Sequence, residues 1–297
     1  MSHRLAVALM VLVTLLWSIA GVVARSLEFA ASFEVTFWRS LFNALALSIA
    51  LTAMRGPGLW PGLCRASWVV WLSGVCWAVM FTAFMLAITL TTVANVLVTM
   101  AIGPLVTALF ARLFLGHRLP LRTWLAALVA GTGIAWMFGQ EARTGVSLTG
   151  TVVALAVPLA AALNFTIMQH VGHQRAEQAA AQDMLPAVLI GALLSALSTL
   201  PLAYPFQAST HDLGLLALLG TVQLAIPCLL VVHLSRVLAA PEIALLGLLE
   251  VVFGVTWAWL GAGEQPRTGT LFGGALVLGA LLANELLALH QSRTAAR

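Results

Sequence analysis

Long apolar runs alternate with short polar breaks along the whole chain. Cutting at charged, Gly/Pro and polar clusters leaves ten apolar segments, at 5–24, 33–54, 67–89, 92–115, 121–139, 148–169, 184–204, 213–237, 240–261 and 268–289. Each is close to the ~20 residues that a helix needs to cross the hydrocarbon core of a bilayer. No water reaches the backbone there, so a spanning segment must satisfy its own N–H and C=O groups, which a helix does. The pattern predicts an all-α integral membrane protein of ten transmembrane helices.

Composition narrows the class further. Of 297 residues 61% are hydrophobic and only 8% charged, and the mean hydropathy is +1.02, which excludes an ordinary soluble enzyme. All 14 basic residues are Arg, and they are scattered between apolar runs, so the net charge of +4 is not a polybasic tail for nucleic acid. Their placement reads instead as topology. With both termini inside, Arg4, Arg55, Arg65, Arg112, Arg118, Arg122, Arg175, Arg236, Arg293 and Arg297 collect on the inner side. Only Arg25, Arg143 and Arg267 fall outside. The positive-inside rule then predicts cytoplasmic N- and C-termini in a plasma membrane, the inner membrane in a Gram-negative cell. His3 and Arg4 before an apolar run resemble a secretory signal, but with so many spans following, the first segment is expected to stay as an uncleaved helix. Cys64, Cys76 and Cys228 show no metal or redox spacing.

Polar residues inside the apolar runs mark the candidate site. The stretch LLGLLEVVFGVTWAWLGAGE, residues 245–264, holds Glu250 in mid-span, and a carboxylate at that depth is costly unless protonated, paired or watered. At helical spacing Leu246, Glu250, Phe253 and Trp257 share a face. Two readings stand for Glu250: it lines a cavity, or it is a structural acid locked to an arginine. Arg39, two turns into the second segment, needs an acid, carbonyl oxygens or water, with Glu250 and Glu34 as its candidate partners. Trp17 lies more than a turn from the end of its span, either as a cavity ring or as packing. Trp77, Phe81 and Phe84 form one stripe. Asn95, Asn164 and Gln223 are amides that need partners in lipid, as interhelical contacts or as hydrogen-bonding groups of a site. Gly103-Pro104 in the fourth segment is a pair that breaks or kinks a helix and frees carbonyls, and Pro158 and Pro227 lie in the sixth and eighth segments. His170, His173 and Glu177 have a spacing suited to a metal on a helix, but no third-ligand pattern accompanies them, so no metal is expected. With no P-loop, dinucleotide fingerprint, zinc-protease helix or serine-nucleophile motif in the sequence, neither a cofactor nor catalytic residues are expected, and the chain is not read as an enzyme.

The halves of the chain answer one another. At an offset of 147 residues Leu72 meets Leu219, Val75 meets Val222, Ala111 meets Ala258, Leu113 meets Leu260 and Gly116 meets Gly263. Pro120 and Pro266 follow the matched turn. Five spans is an odd number, so the second copy enters the membrane from the opposite side. This predicts an inverted repeat: residues 1–139, then 148–289, with 290–297 as a cytoplasmic tail. Such repeats recur in secondary transporters, which bind substrate near the midplane between the halves.

With Trp17-Ser18 closing the first run, Arg39 in the second helix, and the endings Leu249-Glu250-Val251 and Gly263-Glu264, the chain resembles the ten-helix EamA-like members of the drug/metabolite transporter superfamily. LLEVVFG before a Trp-rich turn is most similar to their exporters of aromatic and other neutral amino acids. It departs from the family pattern at Gly116-His117, where Gly-Glu is usual, and at Val251, where many members have Pro. Helix one holds no acid, so the proton coupling of the small four-helix members does not carry over.

The resemblance implies export of small metabolites by alternating access, with a small-molecule substrate, amino acid or similar, the lipid bilayer and a coupling proton as partners, and no nucleic acid. Trp17, Trp77, Asn95, Asn164, Gln223, Glu250 and Trp257 are the expected cavity residues, with Arg39 as a charge partner. The competing classes are a facilitative uniporter or channel, a membrane scaffold, and a membrane-embedded enzyme.

Overall fold

The structure, a computed structural model, describes residues 1–115, 120–143, 148–177, 183–238, 243 and 246–295. The chain is built of helices: α1 (His3–Ala24), α2 (Ser32–Arg55), α3 (Leu59–Cys64), α4 (Trp68–Leu90), α5 (Val93–Met100), α6 (Gly103–Leu115), α7 (Leu121–Arg143), α8 (Thr149–Glu177), α9 (Leu185–Ala203), α10 (Thr210–Leu218), a π-helical segment (Leu219–Ala225), α11 (Ile226–Leu234), α12 (Leu249–Ala262) and α13 (Thr268–Ala295). Among the described residues, seven helical stretches are long and apolar enough to cross a membrane, and three further apolar helices, Leu121–Met137, Leu249–Ala262 and Thr268–Asn284, are shorter. The short α3, in the predicted break after the second segment, has no counterpart in the sequence reading. Gly116, His117 and Arg118 lie outside the described residues, as do the side chains of His170, His173 and Glu177.

Prolines interrupt the fourth and eighth apolar segments but not the sixth. Pro104 has no N–H for the Met100 carbonyl, and the fourth apolar segment divides there into α5 and α6. Pro227 likewise leaves the Gln223 carbonyl without its usual donor, and the residues just before it wind as the π segment. Pro158 sits inside α8. At the end of α12, Gly263 takes the left-handed conformation (φ 67°), and the Glu264 N–H turns back onto the Ala258 carbonyl at 3.0 Å.

Contacts at the helix ends define two faces of the bundle. At the near face, where α1 begins, Arg55 at the end of α2 pairs with Asp183 just ahead of α9, and Ala6 and Met10 pack with Leu234, Leu238 and Ile243. At the far face, Arg25 after α1 donates to Glu264 after α12 (2.9 Å) and to the Thr91 carbonyl after α4 (2.7 Å), while Glu264 also accepts from the Val93 N–H (2.7 Å). The start of α8 is at this far face too, where a Cβ on Gly150 would lie 2.8 Å from the Thr91 Cβ. So α1 ends where α8 begins, and the two run in opposite directions.

Small residues bring the helix axes together. In the parallel α4/α9 pair Gly191 packs on Trp77 and the Gly74 carbonyl, and Gly74 on Ile190. Gly220 of the π segment packs on α2, where a Cβ would lie 2.6 Å from the Arg39 carbonyl. In the parallel α1/α12 pair Gly261 faces Val22. The pairs α2/α9 and α7/α13 are antiparallel, the first joined by Ser40 and Ser195 hydroxyls at 2.8 Å, the second by Thr123 donating to Asn284 at 3.0 Å.

Candidate functional site

The centre of the bundle holds two adjoining, partly open compartments, of about 80 and about 110 Å³. Arg39, Trp77, Gln223 and Cys228 border the smaller. Met10, Thr107, Phe165 and Ile243 border the larger, which lies toward the near face. Trp17, Met80, Met100 and Glu250 border both. The break between α5 and α6 lies here: Gly103 and Pro104 line the larger compartment, as expected where irregular backbone borders a cavity rather than lipid, with Pro158 of the unbroken α8 beside them.

Arg39 is buried. Its Nη2 and Nε both donate to Oε1 of Gln223, at 2.9 and 3.3 Å, and the Gln223 amide donates in turn to the Trp17 carbonyl at 3.1 Å. That second bond fixes which end of the amide faces the guanidinium. The Phe84 ring lies 5.6 Å from the guanidinium carbon, a cation–π contact. Nη1 of Arg39 has no hydrogen-bond partner among the described residues. Glu250 is half-buried on the cavity wall and bonds to neither Arg39 nor Gln223.

Glu34, the other acid considered for Arg39, is committed elsewhere. It accepts the backbone N–H groups of Gln207 and Ala208 and the indole N–H of Trp38. The partner Arg39 finds is thus an amide carried by a π turn. The sequence separates the two by 184 positions and gives no sign of the pairing.

Five of the eight residues singled out from the sequence, Trp17, Arg39, Trp77, Gln223 and Glu250, border one compartment. The other three do not. Asn95 is buried at the α5/α13 contact, where it accepts from Thr270 and donates to Thr91. Asn164 accepts from Ser73 at 2.6 Å and ties α8 to α4. Trp257 is 41% exposed. Met80 and Met100 escaped the sequence reading because a methionine in an apolar run reads as packing, and Cys228 because it carries no motif. The one available signal was position: Met100 lies three residues ahead of Gly103 at the Gly103-Pro104 break, and Cys228 follows Pro227.

The relatives agree with this architecture. The chain is 26% identical over 254 residues, 84% of each chain, to the pseudopaline exporter CntI of Pseudomonas aeruginosa strain UCBPP-PA14, and 26% identical over 257 residues to its counterpart in strain PAO1. A solved crystal structure shares the fold, with a TM-score of 0.65 over 98% of this chain and 99% of that one at 20% identity. Residues 4–139 match the EamA-like transporter family. With seven helical stretches long and apolar enough to cross a membrane among the described residues, the chain is an integral membrane protein whose first half is similar to the EamA-like transporters.

Proposed function

We propose that the protein exports small metabolites, amino acids with aromatic or other neutral side chains above all, across the plasma membrane by alternating access. The observation that carries this reading is that Arg39 and Glu250, a cation and an acid in the middle of the bundle, border one central compartment without bonding to each other. Charge at that depth belongs to a transport pathway far more often than to the scaffold. A wall with both signs and the rings of Trp17, Trp77 and Phe84 suits a ligand with a carboxylate, an ammonium and an apolar body. Trp17, Trp77, Gln223 and Glu250 contact the ligand in this reading. Asn95, Asn164 and Trp257 act on the route or on the moving helix contacts. The export activity named for the two Pseudomonas relatives supports the direction of transport.

In the same reading the protein is ten spans in two inverted halves, 1–139 and 148–289, with the near face and the 290–297 tail in the cytoplasm. The helix contacts support this. Replacing each span by the one five positions on turns α1/α12 into α8/α6 and α4/α9 into the π segment against α2, both of which are packed pairs, while α2/α9 and α7/α13 map onto themselves. Rocking about these contacts exposes the compartment to either side in turn. The cross-links among Arg25, Glu264, Thr91 and Val93 favour a far face closed in the present state. Glu250 either holds the ammonium or exchanges a coupling proton.

The test is efflux from proteoliposomes loaded with a panel of amino acids, with and without a pH gradient. Release of a neutral amino acid that is lost in Glu250→Gln supports export through this cavity. Wild-type flux in that variant at every pH makes the carboxylate structural, and equilibration without accumulation makes the protein a facilitator.

A further inference from the structure

We propose that the groove between α6 and α7 binds an anionic phospholipid, with an acyl chain along the groove and the phosphate on Arg112. The proposal goes beyond the exporter reading and stands without it.

α6 and α7 follow each other in sequence, yet they leave between them a groove of about 260 Å³, lined by Leu105 and Leu109 of α6, by Trp124, Ala127 and Ile134 of α7, and by Leu155 of α8. It opens to the outside of the bundle. Trp124 is 46% exposed, and Leu125 and Leu128 beside it are exposed as well. On a membrane-spanning chain that surface meets hydrocarbon. Apart from the Trp124 indole, the only polar side chain lining the groove among the described residues is Thr123, whose hydroxyl donates to Asn284 of α13 at 3.0 Å. An apolar groove at that place takes an acyl chain rather than water. α6 turns Gly103 and Thr107 to the larger compartment and Leu105 and Leu109 to this groove, so the lipid lies behind a wall of the central cavity.

The mouth of the groove selects the head group. The guanidinium carbon of Arg112 lies 5.9 Å from the centre of the Trp124 ring. Arg112 is exposed, and among the described residues no carboxylate pairs with it. The run from α5 into α6 leaves the far face at Val93, so Arg112, in the last turn of α6, stands at the near-face end of the groove, where a tryptophan ring settles at head-group level. A guanidinium fork matches two phosphate oxygens, and the ring beside it holds it in place. A zwitterionic head group brings its own cation next to Arg112 and finds no carboxylate there to receive it. An anionic one brings only the matching charge.

The far half of the bundle supplies a comparison. A second groove, of about 620 Å³, lies between α12 and α13, and Leu105, Thr123 and Ala127 of the first groove stand 147 positions from Val252, Thr270 and Gly274 of the second. At the same offset Arg112 corresponds to Trp259. The arginine is therefore not part of what builds such a groove, and its charge is left for a ligand.

Titration of the purified, full-length protein with phosphatidylglycerol or phosphatidylcholine of the same acyl chains, followed by native mass spectrometry, tests this. Phosphatidylglycerol is expected to bind about fivefold more tightly, the scale of one arginine facing an anionic head group. Arg112→Gln is expected to remove that preference, and Arg236→Gln, at another exposed arginine of the near face, to keep it. Gly131 lines the groove with open space at its Cβ position, so Gly131→Leu fills the groove without displacing a neighbour and is expected to lower the number of lipids retained by one. Inorganic phosphate is expected not to displace the lipid. A preference that survives Arg112→Gln or is lost equally in Arg236→Gln, a lipid count indifferent to Gly131→Leu, or displacement by inorganic phosphate overturns the site. If Arg112→Gln does not fold, Arg112→Ala makes the same comparison.

Discussion

Arg39 of α2 and Gln223 of the π segment are joined by two hydrogen bonds to one amide oxygen, at 2.9 and 3.3 Å, in the wall of the central compartment. A buried guanidinium with a neutral partner keeps its charge available, where a carboxylate partner would cancel it. Gln223→Ala is expected to lower efflux by about tenfold or more and to destabilise the protein by ~2–3 kcal/mol, the effect of leaving a buried cation without its main acceptor. Gln223→Glu supplies a neutralising partner and is expected to abolish transport while keeping the fold. Thermal unfolding in detergent beside the flux assay separates the two effects.

Glu250 is the acid on the same wall. Glu250→Gln is expected to remove or uncouple export with no loss of folded protein, because the side chain holds no helix by a hydrogen bond among the described residues. Flux measured from acid to alkaline pH checks it: a wild-type pH dependence that flattens in the variant identifies Glu250 as the titrating group.

The two tryptophans from the first and ninth apolar segments are expected to respond differently. Trp17 borders both compartments, and its change to Ala is expected to weaken substrate affinity; Trp257 is 41% exposed, and its change to Ala is expected to leave affinity unaltered. Substrate-concentration dependence of efflux distinguishes them. Unchanged affinity in Trp17→Ala together with a lower unfolding temperature would assign that ring to packing.

What the sequence made legible follows from how local each signal is. Helices were readable because a bilayer demands about twenty apolar residues in a row, and the broken fourth segment because Gly103-Pro104 lie in consecutive positions. That Arg39 and Glu250 interrupt apolar runs was readable for the same reason, though Glu250, expected in mid-helix, stands in the first turn of α12. Their partners were not, since the Arg39–Gln223 contact depends on how a π turn rotates an amide toward α2 and on Gly220 letting the two helices approach. Asn95 and Asn164 looked equivalent to Gln223 in the sequence. Which amide faces the cavity and which meets Thr270 or Ser73 is decided by helix rotation, which an apolar run without a clear polar face leaves unspecified.

Close packing offers a test of the helix arrangement alone. Gly191 and Gly74 hold α4 and α9 in contact, with no room for a side chain between them. Gly191→Val is expected to cost at least ~1–3 kcal/mol through overpacking and to disturb Trp77, which it touches. Gly214, with open space at its Cβ position, is the control, and Gly214→Ala is expected to be neutral in the same unfolding measurement.

The far-face cross-links make a prediction about movement. Arg25 and Glu264 bind each other, the Thr91 carbonyl and the Val93 N–H, closing the bundle at that end. Glu264→Ala is expected to raise the labelling rate of Cys228, beside the compartment, by a membrane-impermeant thiol reagent applied from outside. An unchanged rate would mean that this cluster stabilises the fold without gating it.

Release of labelled phenylalanine from proteoliposomes, compared for wild type, Glu250→Gln and Gln223→Ala at matched protein content, bears most directly on the central cavity as the substrate site. Export through it requires wild-type efflux that saturates with substrate and falls at least about tenfold in both variants, whose unfolding still shows folded protein. Wild-type efflux in both folded variants, or no efflux of any member of an amino-acid panel by the wild type, would contradict it.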